Sequence, residues 1–342
     1  MSTLSRPVTG RRARANDVAE LAGVSRSAVS RAFSQTAYIA PDTKAKVLKA
    51  AAELDYSPDT LASSLAKGRS NIVVVVINQV DAIRGPSLHS ALIRSLQDSA
   101  RLPVVLSLSP TDDGATSLKR HLTFPVEGLI VMSDSVSVEV ARHAVPYVRP
   151  IMLNFERTSA DVDSIVANDA AGIAEMVNHL WETGHRSVGF MAGRSSSISS
   201  TMRRNALALE IARKGMNLAV EASGEFSYDQ AYEAAPALVA GEKLPDVIFC
   251  ANDVMAFAVM DYLRLNTRHR VPEDVSIVGF DDVYMASWPI YNLSTVRQDI
   301  DSMAAAVIAI LEHRHDPQTR KFDPPTMVAE LVLRGTIGRR TQ

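Results

Sequence analysis

"AELAGVSRSAVSRA", residues 19–32, decides how the first part of the chain is read. Two helices meeting at a sharp angle need a small residue where they touch, and Ala19 supplies it. The turn between them needs a residue that tolerates positive φ, and Gly23 supplies it. An apolar residue must then seal the corner, which is the part of Val29. The pattern predicts a helix-turn-helix, whose second helix enters the major groove of DNA. That helix is expected over Ser25–Phe33, with Ser25 as its N-cap. Its outer positions carry Arg26, Ser27, Ser30 and Arg31, all able to bond to bases or phosphates. An ordinary helical hairpin has the same spacing, so the charge around it matters.

Residues 1–70 carry 11 Lys or Arg against 6 Asp or Glu, and the remaining chain 25 against 32. A basic head on an acidic body is the asymmetry expected when one end meets nucleic acid. The single cysteine, Cys250, excludes an intrachain disulfide framework. The basic start, "MSTLSRPVTGRRAR", is followed by no apolar run of secretory-signal length. The longest apolar run, "IVVVVI" at 72–77, is too short to span a bilayer. A cytoplasmic protein without membrane contact is expected.

The first 60 residues read as short helices. In "NDVAELAG", Val18, Leu21 and Ala22 take helical spacing and Gly23 is a stop. In "APDTKAKVLKAAAELDY", Val47, Leu48, Ala51 and Leu54 are assigned to one face. Beyond residue 70 the rhythm changes. Short apolar runs appear at 71–78, 102–109, 127–133, 150–155, 186–193, 246–253 and 274–282, with helical patterns at 87–100, 168–183, 201–215, 228–240, 253–266 and 298–313. Continuous apolar strands interleaved with helices predict parallel sheet covered on both faces, as one large sheet or two smaller ones. The runs end in small or polar residues, and ligands of open α/β sheets bind at such carboxyl ends. Between the two parts, residues 56–71 read as a linker with a turn or two of marginal helix. The serine-rich "GRSSSISS", 193–200, reads as a loop.

Here the chain resembles a known family, the lactose-repressor (LacI-type) transcriptional regulators. "DVAELAGVSRSAVSRAF", "KVLKAAAELDYSPDTLASSLAKGRS", "ETGHRSVGFMAG", "CANDVMAFAVM", "VPEDVSIVGFDD" and "LSTVRQD" look like that family's signature segments, in the family's order. The resemblance implies a helix-turn-helix head over 1–57, a hinge helix over 58–70 and an effector-binding core over 71–338. The core would be two doubly wound parallel-sheet subdomains, similar to periplasmic sugar-binding proteins. One would take about 71–165 and 296–322, the other about 166–295 and 323–338.

The resemblance also implies roles. Residues matching Arg26, Ser27 and Arg31 face the major groove. Leu65 matches a hinge leucine that wedges into the minor groove and kinks the duplex. Asp59, Ser63 and Ala28 depart from the family's usual Asn, Arg and Thr. In the effector cleft, Arg203 matches an arginine that grips hydroxyls or a carboxylate. Asp281 matches a carboxylate that accepts from sugar hydroxyls. Asn252 and Phe226 match a polar contact and an aromatic face for a sugar ring, and Asn154 a polar strand tip. On the first subdomain's side, Gln79, with Asp81 and Arg84, is a candidate. An effector of sugar, polyol or sugar-acid chemistry suits this set, and purines also occur in the family. The implied partners are double-stranded operator DNA, the effector and a second copy of the chain in a homodimer, with the helix at 87–100 as a candidate interface. The implied function is that of an effector-controlled regulator, expected to be a repressor.

Two rival functions predict different sequence features. A solute-binding protein shares the core fold, but predicts a signal peptide and no DNA-binding head. An enzyme on a nucleotide-binding α/β fold predicts a G-x-G-x-x-G, a P-loop or a G-x-S-x-G elbow, and none is present. The eight histidines are scattered, and His313 and His315 do not share a helix face. No catalytic residue, metal site or cofactor is expected.

Overall fold

The structure is a computed structural model that describes residues 13–33, 37–57, 70–78, 88–109, 112–132, 136–154, 161–241, 243–314 and 327–340. The chain divides into two units, Met1–Ser70 and Asn71–Gln342. The hinge segment with Asp59, Ser63 and Leu65, and the stretch with Gln79, Asp81 and Arg84, lie outside the described residues.

The first unit holds α1 (Ala15–Ala22), α2 (Arg26–Ala32) and α3 (Pro41–Glu53). Gly23 ends α1 at φ 65°, ψ 37°. Its N–H donates to Glu20 O, and the N–H of Val24 donates to Ala19 O at 3.0 Å. This Schellman pair satisfies carbonyls that the end of a helix would otherwise leave open. Pro41 sits in the first turn of α3, where its missing N–H costs nothing. Val18, Ala19, Val29, Ala32, Val47, Ala50 and Ala51 form the core. Two assignments are corrected. Leu48 is 43% exposed and Leu21 is 50% exposed. Leu48 lies about 100° round the helix from Val47, so Ala50 takes the inward place. Likewise Val18 and Ala19 set the buried face of α1, and Leu21 falls outside it.

The second unit begins with β1 (Ile72–Asn78), α4 (Leu88–Asp98), β2 (Leu102–Leu108), α5 (Gly114–His121), β3 (Gly128–Val131), α6 (Val138–Ala144), β4 (Ile151–Leu153) and β5 (Asp163–Ile165). These strands form a parallel sheet in the order β2-β1-β3-β4-β5. Side chains alternate across a strand, and β1 uses both faces. Val73 and Val75 enter one apolar cluster with Leu92 and Leu96, while Ile72, Val74 and Val76 enter another with Leu118 and Ala141. Pro103 is tolerated because β2 is an edge strand.

The chain continues through α7 (Asp169–Glu182), β6 (Ser187–Ala192), α8 (Ile198–Arg213), β7 (Asn217–Ser223), α9 (Tyr228–Val239), β8 (Val247–Cys250), α10 (Asp253–Asn266), β9 (Ser276–Phe280), β10 (Ser294–Arg297), α11 (Ile300–His313) and β11 (Glu330–Val332). The second sheet runs β11-β10-β9-β8-β6-β7, parallel except where β11 pairs antiparallel with β10. The fold class is the expected one, with two sheets rather than one. α8 starts at Ile198, so part of the serine-rich stretch is helix and not loop.

Among the described residues, three segments cross between the sheets. The first is 166–168, between β5 and α7. The second is 298–299, between β10 and α11, whose Met303, Val307 and Leu311 pack with the first sheet. The third is 327–329, where Met327 packs with the first sheet and Ala329 with the second. The first and third crossings lie side by side: Asn168 N–H donates to Met327 O at 2.8 Å, and Ala329 N–H to Asn168 O at 3.4 Å. Gly172 permits this closeness, since a β-carbon there would stand 2.9 Å from the Ala329 β-carbon and closer still to Val296. Among the described residues, no helix is long and apolar enough to cross a membrane.

Candidate functional site

The helix α2 presents two faces. Arg26, Ser27, Ser30 and Arg31 are exposed, whereas Ala28, Val29 and Ala32 are buried. Ser25 caps the helix, its Oγ accepting from the N–H of Ala28 at 3.2 Å. The Ser27 hydroxyl stands 2.9 Å from that of Ser25. The helix thus shows solvent two guanidinium groups and two hydroxyls on a rigid frame. Ala28, which stands where the family usually has threonine, packs into the head.

The second candidate site lies at the carboxyl ends of the strands of the second sheet. Arg203 projects from α8 and is 3% exposed. Its Nε donates to Asp169 Oδ2 at 3.0 Å, its Nη1 to the carbonyl of Ala251 at 2.6 Å, and its Nη2 to Asp281 Oδ1 at 3.5 Å. Asp281 follows β9 at φ 108°, and Asp282 follows at φ 54°. Two successive left-handed residues without glycine are strained, and such strain gathers at functional sites. Asp282 accepts from Arg297 Nε at 2.6 Å and Arg334 Nη2 at 2.7 Å, so of the pair only Asp281 meets Arg203.

The other nominated residues lie as follows. Asn252 is buried and caps α10, its Oδ1 accepting from Met255 N–H at 2.9 Å. Phe226, at φ 57°, belongs to the apolar core of the second sheet. Its ring packs against Gly193, and the Arg194 guanidinium stands 5.6 Å from the ring centre. Little of the ring is left open as a platform. Asn154 directly follows β4 at φ 60°, and its N–H donates to Ile165 O at 2.8 Å. The structure brings Arg203 and Asp281 together, and it turns Asn252 to helix capping.

Residues 15–59 match the family described as bacterial regulatory proteins, lacI family. Residues 177–337 match a periplasmic binding protein-like domain. The chain therefore joins a lacI-family regulatory segment to a periplasmic binding protein-like domain.

Among similar proteins, the HTH-type transcriptional repressor PurR of Haemophilus influenzae (strain PittEE) is 28% identical over 336 residues, covering 94% of this chain and 97% of that one. The probable HTH-type transcriptional repressor ExuR of Bacillus subtilis (strain 168) is 26% identical, covering 95% and 98%. The solved lac repressor dimer bound to operator and the anti-inducer ONPF is 26% identical with a TM-score of 0.83, covering 96% of this chain and 100% of that one. The CelR–cellobiose complex, 22% identical with a TM-score of 0.67, shares the fold.

Three residues at these strand ends carry no signal in the sequence. Asp169, at the start of α7, holds Arg203 and also accepts from Gln298 Nε2 at 2.9 Å. Both fell inside motifs read for other reasons, so only their side-chain contacts single them out. Asp253 is wholly buried beneath the Asp281 loop. Its Oδ2 accepts from Val283 N–H at 2.8 Å, and its other oxygen accepts from Thr295 Oγ1. Burial first, and Asp281 nearby second, push its carboxyl well above the usual carboxylate range. Among the described residues, no group of three or more His, Cys, Asp or Glu is placed to hold a metal.

Proposed function

We propose that this chain is a repressor that binds operator DNA as a homodimer and releases or tightens its hold when a small molecule enters the core cleft. The observation that carries the reading is the two-sided α2, apolar inward and guanidinium- and hydroxyl-bearing outward. Arg26, Ser27, Ser30 and Arg31 contact the bases and phosphates of a half-site, and Leu65 in the hinge wedges the minor groove at the centre. The relatives named as repressors and the solved dimer on operator support both the DNA and the two-fold assembly.

The effector is a sugar, polyol or sugar acid. Asp281 and Arg203 meet its hydroxyls or carboxylate, Asn252 and Phe226 act by holding the neighbouring strand ends in place, and Asn154 and Gln79 are the candidate contacts on the first subdomain's side. Closure on the effector changes the angle between the sheets and thereby the hinge over 58–66. A coupling of about 1–3 kcal/mol is the usual size for such linkage. The test is a thermal-shift screen with sugars, polyols, sugar acids and nucleobases, since a molecule that binds only the native state raises the melting point. A hit that is abolished by Asp281→Asn supports the cleft. Hits confined to nucleobases would overturn the carbohydrate assignment.

A further inference from the structure

Asp169 stands where the cleft meets the crossings, and neither of its oxygens is idle. Oδ2 accepts from Arg203, which reaches the tips of β8 and β9 through Ala251 and Asp281. Oδ1 accepts from the amide of Gln298 on the second crossing. Asp169 itself follows directly on the first crossing, whose Asn168 is tied by its backbone to the third. All three side chains are enclosed: Asp169 is 7%, Arg203 3% and Gln298 8% exposed. A carboxylate removed from water holds its partners in fixed geometry, because losing either leaves a buried charge short of a bond.

We propose that Asp169 is a hinge clasp, a positioning residue that fastens the angle between the two sheets to the arginine of the effector cleft. Arg203 sets one side of the clasp and Gln298 the other. A molecule that draws on Arg203 or Asp281 changes the hold on Asp169, and so biases the crossings. The inference rests on the cleft being the effector site, yet its test needs neither effector nor DNA.

The experiment measures the distance between the sheets in the full chain by pulsed electron spin resonance. Spin labels go on Lys119→Cys in α5 and Glu233→Cys in α9, both exposed positions. The native Cys250 is buried and its thiol is pushed upward by burial, which keeps it unreactive. With the labelled chain diluted into an excess of unlabelled chain, so that a homodimer carries one labelled copy, the otherwise unsubstituted background is expected to give one narrow intrachain distance. Gln298→Glu sets two carboxylates against each other and is expected to add a second, shifted population. Adding Asp169→Asn to it restores both bonds with their polarity exchanged: the introduced amide donates to the introduced carboxylate, and its oxygen accepts from Arg203. The single narrow distance must return. Gln298→Leu, which removes the bond without repulsion, covers the case of a poorly folding Gln298→Glu and is expected to show the same second population. Arg203→Lys, which removes the Nε donor, must also shift the trace.

Unchanged distances in Gln298→Glu or Gln298→Leu would overturn the clasp, as would failure of the paired substitution to restore them. An unchanged trace in Arg203→Lys would overturn the link to the cleft. Each of these results leaves DNA recognition by α2, tested separately, untouched.

Discussion

The guanidinium carbon of Arg203 lies 3.6 Å from the centre of the Phe280 ring. Phe280 is the last residue of β9, and Asp281 follows it directly. The ring therefore fixes the plane of the fork, while Asp169, Ala251 and Asp281 fix its direction. A planar cation on an aromatic face is held by the ring quadrupole as well as by its hydrogen bonds.

Arg203→Ala should be costly to stability, because it leaves Asp169 and Asp281 enclosed without their counter-charge. Breaking a buried pair from one side costs about 3–5 kcal/mol. Urea unfolding measures this directly. Asp281→Asn keeps the acceptor and should cost less than about 1.5 kcal/mol, the size of one net hydrogen bond.

Gly23→Ala tests the turn. At φ 65° a β-carbon meets no neighbouring atom, so the penalty is that of backbone conformation alone. A loss of about 1–2 kcal/mol is expected, read from thermal unfolding of the helical head. No loss would mean that the turn does not need its left-handed residue.

Arg31→Ala removes one exposed guanidinium from α2 and leaves its buried face whole. Operator affinity should fall by about 1–3 kcal/mol, roughly 5- to 150-fold. The melting point, and any ligand-induced rise in it, should stay as before. Fluorescence anisotropy on labelled duplex reads the first, and a thermal-shift assay the second. Equal loss of both would point to damage to the fold.

His185 makes stability fall in mild acid. It is fully buried, with Nδ1 3.0 Å from Leu180 O and Nε2 2.9 Å from Ser276 Oγ. Burial lowers its pKa from 6.5 to about 4. The unfolded chain therefore binds the proton first. The histidine's contribution is complete above pH 6.5 and is lost as pH falls from 6.5 toward 4. A shift of this size corresponds to about 3 kcal/mol. Urea midpoints measured from pH 7 to pH 4.5 should fall more steeply for the unsubstituted protein than for His185→Gln.

The turn was legible because Gly23 answers one steric demand. The buried strands were legible because both faces of β1, β3, β6, β8 and β9 are covered, which leaves uninterrupted apolar letters. β7 was missed because an edge strand is half solvated and mixes polar residues in, as "NLAVEAS" does. β5 was missed because three residues make no run. The helices α5 and α6 were missed because each offers only one or two buried positions. Arg203 and Asp281 came from motif resemblance. Asp169 and Gln298 were invisible, since their roles depend on contacts 34 and 129 residues distant, which no local pattern encodes.

The central claim is that α2 reads duplex DNA with two-fold symmetry. The direct test is selection of duplexes from a random-sequence pool by the purified full-length chain, at low and at physiological ionic strength. The account predicts enrichment of one palindromic or nearly palindromic sequence, with two half-sites and an affinity that falls steeply with salt as phosphate counterions are released. A pool that emerges with no shared sequence under either condition would contradict it.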